Sequence, residues 1–248
     1  MLGDRAWSEK YSQRQLETRV ELLRACFDHY AVKLYLCISA LGLVALAATG
    51  GSIFALPIAI AITALFYPLV EYVLHRFVLH SRLLYRNPVT ADLWRRLHYD
   101  HHMKPTNLTV LFAAPVTSVP LLFVLATVPV LLIDVQGLFF AMLTTNFLMF
   151  TYYEVMHASA HLKLGFEDKW ISSHRQSHLR HHFISETENF GIGTQLMDRI
   201  AGTNDAKPRQ SPTVRNLGYD DETARVFPWV RESYERDKSR AEAPAVKQ

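Results

Sequence analysis

Eleven of the chain's twelve histidines fall into four spaced groups. They are His75 and His80; His98, His101 and His102; His157 and His161; and His174, His178, His181 and His182. Only His29 stands apart, and it reads as a satisfied interfacial residue. Imidazole nitrogen is a common ligand for iron, zinc, copper and nickel. The two cysteines, Cys26 and Cys37, are too few and too far apart for a zinc knuckle or a disulfide framework. The chemistry to expect is a metal site built from histidine nitrogen.

The spacings say how the rings can be presented. On an α-helix, residues three or four apart share a face. His98, His101 and His102 are spaced that way, as are His157 and His161, and His178, His181 and His182. Ten or eleven inward rings exceed what one ion can bind, so two metals are the economical reading. His75 and His80 are five apart, about 140° around a regular helix. They converge only if the helix ends, unwinds or bulges between them, as a π-bulge would allow, or they serve different metals. Crowded histidines without metal would repel once protonated.

The motif context narrows the chemistry. His157-Ala-Ser-Ala-His161 lacks the glutamate of the zinc-protease run. Glu154-x-x-His157 matches the motif of soluble di-iron bundles, which need two copies and further glutamates, and only one is present. An all-histidine shell leaves the metals' charge uncompensated. Glu71, Asp100, Glu154 and Glu188 lie beside the groups and are expected to accept the far ring N–H of a ligand.

The elements that position these residues are helices in a membrane. No Lys or Arg occurs between Lys33 and Arg76, or between Lys104 and Lys163. Elsewhere the 248-residue chain is densely charged. That pattern describes a multi-pass membrane protein with a polar cap rather than a soluble globule. No basic run with interleaved aromatics appears, which argues against a nucleic-acid partner. The first thirty residues are polar and helix-prone, which argues against a cleaved signal peptide.

The expected fold is all-α, a four-span helical bundle under a helical cap. The spans cover about 34–49, 53–74, 108–132 and 137–156. The cap is 75–107 and 157–203, within a domain of 34–203. Gly50-Gly51-Ser52 and Asp134-Val135-Gln136-Gly137 are the hairpin turns. Pro57 and Pro68 allow a kink in the second span, and Pro115, Pro120 and Pro129 an irregular third. Residues 1–33 form an amphipathic arm whose apolar face is Leu16, Val20, Leu23, Phe27 and Tyr30, for the membrane surface or the cap. Residues 204–248 form a polar tail. Both hairpin turns lack Lys and Arg, so the positive-inside rule puts arm, cap and tail in the cytosol. All four histidine groups then share one face of the membrane. Asn107-Leu108-Thr109 matches a glycosylation sequon by chance, on the wrong side.

The ordered pattern His-x4-His, His-x2-His-His, His-x3-His, His-x2-His-His resembles the fatty acid hydroxylase and sterol desaturase superfamily of membrane di-iron oxygenases, over roughly residues 55–203. Glu71-Tyr72-x-x-His75-Arg76-Phe77-x-x-His80 is similar to the first box of the fatty acid 2-hydroxylase branch. Tyr153-Glu154-x-x-His157 is similar to that branch's Tyr-Asp-x-x-His. Asn189-Phe190-Gly191, then Asp198-Arg199-Ile200-x-Gly202-Thr203, resembles its terminal signature. The departures are Leu162 where a second adjacent histidine often stands, Lys104-Pro105-Thr106-Asn107 and Ala113-Ala114-Pro115 in place of an aspartate and a Pro-Pro pair, and Met197 and Ala201 for Trp and Phe. They touch none of the boxes and bear on which lipid is taken.

The resemblance implies O2-dependent hydroxylation of a fatty acyl C–H bond at a centre of two iron ions, which zinc can replace in purified samples. The implied ligands are His75, His80, His98, His101, His102, His157, His161, His178, His181 and His182. His174 is left out of the family pattern. It is expected to support the ligands from outside, with Glu71, Asp100, Glu154 and Asn189, and no catalytic residue is expected beyond the metal centre. No cytochrome b5-like His-Pro-Gly-Gly loop occurs, so an external donor, cytochrome b5-like or ferredoxin-like, is expected. The membrane would be the bacterial cytoplasmic membrane or the endoplasmic reticulum. Two rival readings remain at this point. One is a related carotenoid, sterol or alkyl-lipid hydroxylase or desaturase. The other is a membrane metal transporter or sensor, which would place ligands near the midplane.

Overall fold

The computed structural model describes residues 2–81, 84 and 88–204. The expected tail from residue 205 onward lies outside the described residues. Ten α-helices, two π-helical segments, one 3₁₀ turn and one pair of two-residue strands are the regular elements of the described chain. The strands correct the all-α expectation in a small way.

The organising element is α8, Leu138–His161, a helix of 24 residues. At 1.5 Å per residue it is about 36 Å long. It packs against α3 (Tyr30–Ala48), α4 (Ala55–Val73), α7 (Pro115–Val130) and, at its far end, α9 (Lys169–Phe183). Ser39 Oγ donates to the Thr144 carbonyl at 3.0 Å, and Thr144 Oγ1 donates back to the Ser39 carbonyl at 3.2 Å. Gly42 makes that approach fit, because a Cβ there would lie 2.8 Å from Thr144 Oγ1. Thr63 Oγ1 on α4 donates to Asn146 Oδ1 at 3.0 Å and pairs with Thr145 Oγ1 at 2.8 Å. Small residues and hydroxyl pairs are the usual contacts between helices in lipid, where burial of apolar surface gives no net drive.

Among the described residues, three segments are long and apolar enough to cross a membrane: Tyr30–Ala48, Ala55–Leu79 and Leu108–Val130. Their outer faces carry exposed Leu41, Val44, Leu65, Phe66, Val124 and Val128. The expected fourth span, α8, has the length but not the composition. Thr144, Thr145, Asn146, Thr151 and Glu154 are all buried: the first three meet α3 and α4, Thr151 donates back to the Phe147 carbonyl and Glu154 accepts from the Ala113 N–H. The helix α4 runs through Pro57 and Pro68 without a break in its assignment. The third span is irregular as expected. A 3₁₀ turn, Leu108–Val110, precedes a break, and Pro115 starts α7 where its missing N–H costs nothing.

The arm differs from its expected form. It is two helices, α1 (Leu2–Tyr11) and α2 (Arg19–Asp28), with β1 (Gln15–Leu16) between them. Thr18 caps α2 by accepting from the Glu21 N–H, a Thr-x-x-Glu signal that breaks the expected face. The packed side of α2 is Leu22, Ala25 and Cys26, whereas Val20, Leu23 and Phe27 are exposed. Trp7 Nε1 donates to the Ala25 carbonyl at 2.7 Å, and its ring packs edge-on to Phe112. Strand β1 pairs in parallel with β2 (Lys163–Leu164) just after α8. The arm is thereby tied to the segment that follows α8.

Candidate metal centre

Two π-helical segments set the first half of the centre. Leu74–Leu79 continues α4, and the His80 N–H bonds the His75 carbonyl at 3.0 Å. That i→i+5 bond brings residues five apart onto one face, which the spacing of His75 and His80 required. A second π segment, Arg95–Tyr99, lies between α5 (Pro88–Trp94) and α6 (Asp100–Met103). It sets the turn from His98 into His101 and His102, and no spacing signal announced it.

The ten boxed histidines gather into two groups of five. One holds His75, His80, His98, His102 and His181; the other holds His101, His157, His161, His178 and His182. Within each group the candidate ligand atoms all lie within 4.8 Å of one another. The groups abut where the His102 and His182 rings pack 4.1 Å apart. The second and fourth boxes are divided between them. His101 and His102 are neighbours in sequence and face different groups, and so are His181 and His182.

The atoms fit cations. His98 Nε2 and His181 Nε2 lie 2.6 and 2.9 Å from His80 Nε2. His157 Nε2 is 2.9 Å from His101 Nε2, and His178 Nε2 is 3.0 Å from His161 Nε2 and 2.9 Å from His182 Nε2. His181 Nδ1 donates to the Glu188 carbonyl at 2.7 Å, and His75 Nδ1 donates to the Phe190 carbonyl. A carbonyl can only accept, so Nδ1 carries the proton and Nε2 of each neutral ring presents a lone pair. His75 Nε2 and His102 Nε2 are buried without a hydrogen-bond partner. Converging lone pairs repel one another unless a cation lies between them. Burial, then repulsion between neighbouring rings, holds His98, His101, His102, His178 and His182 well below the usual histidine range. Neutral imidazole is the form that binds metal.

The expected supporting residues behave differently. Glu71 accepts from the backbone N–H groups of Ile192 and Gly193, and Glu154 accepts from the Ala113 N–H at 3.0 Å. Neither takes a ring N–H. For His75 and His181 that work falls to backbone carbonyls, because a loop and not a side chain lies behind those two rings. His174 belongs to neither group. Its Nδ1 donates to the Trp170 carbonyl at 2.9 Å and its ring packs on Trp170. Asn189 accepts from Ser177 Oγ and shapes the loop at φ 56°, contacting no ring through its amide. Asp100 pairs with Arg95 at 3.4 Å. His29 is buried in the arm, stacked on Phe112 and bonded to Asp4 Oδ1 at 3.2 Å, apart from both groups.

Members of both groups line one cavity of about 560 Å³. That lies within the roughly 300–1,000 Å³ of ordinary ligand pockets. The cavity continues between α4, α7 and α8, past Tyr67, Val70, Leu121, Leu122, Leu125 and Phe150. A long apolar chamber therefore ends on the histidines.

The sequence profile of the fatty acid hydroxylase family matches residues 60–203. The chain belongs to the fatty acid hydroxylase family. Fatty acid 2-hydroxylase of Mus musculus is 29% identical over 136 residues, 54% of this chain and 36% of that protein. Dihydroceramide fatty acyl 2-hydroxylase of Arabidopsis thaliana is 26% identical over 156 residues, 58% of this chain and 59% of that protein. The chain thus matches about a third of the length of the mouse protein. The solved structure of full-length Scs7p, in which only the hydroxylase domain is visible, superposes with a TM-score of 0.59 at 21% identity, covering 73% of this chain and 68% of that one.

In this member of the family the terminal signature acquires a physical role that spacing alone did not reveal. Asp198, in α10 (Leu196–Ala201), accepts from the Phe190 N–H at 2.9 Å, the Gly191 N–H at 2.6 Å and Thr203 Oγ1 at 2.7 Å. Glu71 holds the next two N–H groups of the same loop. The loop is pinned by its donors, and its carbonyls orient His75 and His181. Gly191 must be glycine, since a Cβ would fall 2.0 Å from the Thr194 carbonyl oxygen.

Proposed function

We propose that the chain is an O2-dependent di-iron monooxygenase that hydroxylates a fatty acyl chain at the carbon beside its carboxyl group. The observation that carries this reading is the apolar cavity ending on both five-histidine groups. The similarity to 2-hydroxylases over the histidine-bearing region supports the position oxidised. The ligands would be His75, His80, His98, His102 and His181 for one metal, and His101, His157, His161, His178 and His182 for the other.

Two iron ions held there would supply the O2 reduction and hydrogen abstraction that an unactivated C–H bond requires. The balance takes two electrons and two protons, places one oxygen atom in the C–H bond and releases the other as water. The electrons come from an external protein donor, cytochrome b5-like or ferredoxin-like. The chain's own residues do the rest. The apolar walls hold the acyl tail and exclude water, which suppresses side reactions. The carbonyls of Glu188 and Phe190 fix ring orientation.

The proposed topology adds α8 as a fourth span, since about 36 Å exceeds the roughly 30 Å hydrocarbon core. Arm 1–33, cap and tail then face the cytosol, with 34–203 as the membrane domain, in the bacterial cytoplasmic membrane or the endoplasmic reticulum. Metal transport has less support, because the histidines lie at span ends behind an apolar chamber.

The test is a lipid profile under 18O2 in a host that supplies an electron donor, with a His178→Ala control. An 18O-labelled hydroxy-acyl species absent from the control is expected. A product short of two hydrogens and free of label would make the enzyme a desaturase instead.

A further inference from the structure

Phe112 lines the apolar cavity, and the arm holds it from behind. The His29 ring stacks on it at 4.1 Å and 15°, and the Trp7 ring meets it at 4.9 Å and 88°. The two supporting rings also pack on one another, 5.4 Å apart. His29 is fixed at both nitrogens. Its Nδ1 accepts the Ala31 N–H at 3.3 Å, so Nε2 carries the proton and donates to Asp4 Oδ1 at 3.2 Å. Trp7 is fixed by its bond to the Ala25 carbonyl at 2.7 Å. The backbone beside Phe112 is held as firmly. The Ala113 N–H donates to Glu154 Oε1 at 3.0 Å, and the Ala113 carbonyl accepts from the Tyr35 hydroxyl at 3.0 Å.

We propose that Phe112, held rigid by Trp7 and His29, is the wall that selects acyl chains unbranched beside the reacting carbon. This rests on the 2-hydroxylase reading and names the substrate class of that site. The wall stands at the histidine end of the cavity, because its segment is tied to two boxes. Arg96, two residues before His98, donates to the Thr109 carbonyl at 3.4 Å. Glu154, which takes the Ala113 N–H, lies three residues before His157, about 4.5 Å along α8. Oxidation beside the carboxyl group puts the second and third carbons of the chain at the histidines, so those carbons meet this wall. Phe112 is 3% exposed, so only a rim of its ring is open to a substrate. A close-packed ring with no room to shift excludes even one added methyl group. Trp7 and His29 act through Phe112 and are positioning residues. Both lie outside residues 60–203, the stretch that the family profile matches, so the arm brings this wall its support from beyond the shared domain.

The test compares binding of a saturated sixteen-carbon fatty acid with that of the same acid bearing a methyl branch on its third carbon. The full chain is held in detergent at neutral pH, and displacement of a pyrene-labelled fatty acid is followed. The wild type should prefer the straight acid by about tenfold or more, as a formed pocket does for one misfitting carbon. His29→Ala and His29→Phe both lose the bond to Asp4, and only the second keeps a ring against Phe112. The preference should fall to about threefold or less in His29→Ala and stay within about twofold of wild type in His29→Phe. Phe112→Leu keeps apolar bulk without the flat ring; it should also lose the preference, and it carries the test where His29→Ala does not fold. A preference absent from the wild type, or one that survives Phe112→Leu, would overturn the proposal, and so would equal loss in His29→Ala and His29→Phe. Oxygen incorporation from 18O2 separates the wall from the reading beneath. A preference lost in Phe112→Leu, with no labelled product from the wild type, would remove the hydroxylase and keep the wall. Labelled product from a wild type that binds both acids alike would do the reverse.

Discussion

Asp198 Oδ1 accepts the Phe190 N–H at 2.9 Å, and the carbonyl of that same Phe190 accepts the Nδ1–H of His75. A buried carboxylate at the end of the family match therefore reaches the first histidine box through the backbone of one residue. Asp198→Asn should lower metal content although it removes no candidate ligand. The amide puts a donor against a buried N–H, a loss of about 1–3 kcal/mol per unpaired group. Metal per chain, measured by elemental analysis after iron loading, should fall clearly below wild type. Wild-type metal content with wild-type turnover would show that the loop does not position His75.

The division of the ten boxed histidines into two groups gives a stoichiometric prediction. His98 belongs to one group and His178 to the other. His98→Ala and His178→Ala should each reduce bound metal from about two per chain toward one, and both should abolish hydroxylation. The double variant should approach none. Full turnover in either single variant would sink the di-metal assignment.

Leu125 lines the cavity on the α7 wall, away from the histidine boxes. Leu125→Trp should shorten the acyl chain accepted without altering metal content. Product profiles over saturated acids of graded length would shift toward shorter chains by several carbons. An unchanged profile would place the tail elsewhere.

His29 gives the arm a pH dependence. Burial pushes its imidazole down to about 4, against the partial opposition of Asp4. The unfolded ring titrates near 6.5. Between those values the unfolded chain binds more protons, so stability rises with pH there. The contribution is fully present above about 6.5 and is lost as pH falls toward about 4. The Tm gap between wild type and His29→Gln should therefore be widest near pH 7.5 and shrink by pH 4.5. Metal content at pH 7.5 should stay near wild type in the variant. A constant gap would mean that the ring is not held neutral.

Gly42 tests the membrane core. A Cβ at this position would press on Thr144 Oγ1 at 2.8 Å and the Phe140 carbonyl at 3.0 Å. Gly42→Leu should part α3 from α8 and cost about 1–3 kcal/mol or more, as overpacking does. Thermal unfolding in detergent would show it as a lower Tm, whereas Leu41→Ala, at an exposed neighbour on α3, is the control.

Much of the centre was legible in the chain itself. Histidines three and four apart announce helix faces, and the five-residue step from His75 to His80 demanded a helix irregularity that the π segment supplies. Long uncharged stretches mark helices that can cross a membrane, because a charged side chain costs too much there. These are local facts, set by helical period and by the solvent a segment tolerates. The tertiary structure decided what spacing cannot hold. His101 and His102 are adjacent, yet they point about 100° apart on a helix of 3.6 residues per turn and so serve different groups. His80 meets His181 across 101 positions only because α4 and α9 converge at the cap end of α8. The acceptors behind His75 and His181 are backbone carbonyls, which any residue type provides and no motif of side chains can mark. The length of α8 was legible too, but the purpose of its threonines and Asn146 was not, because Ser39 on α3 and Thr63 on α4 meet them only in the fold.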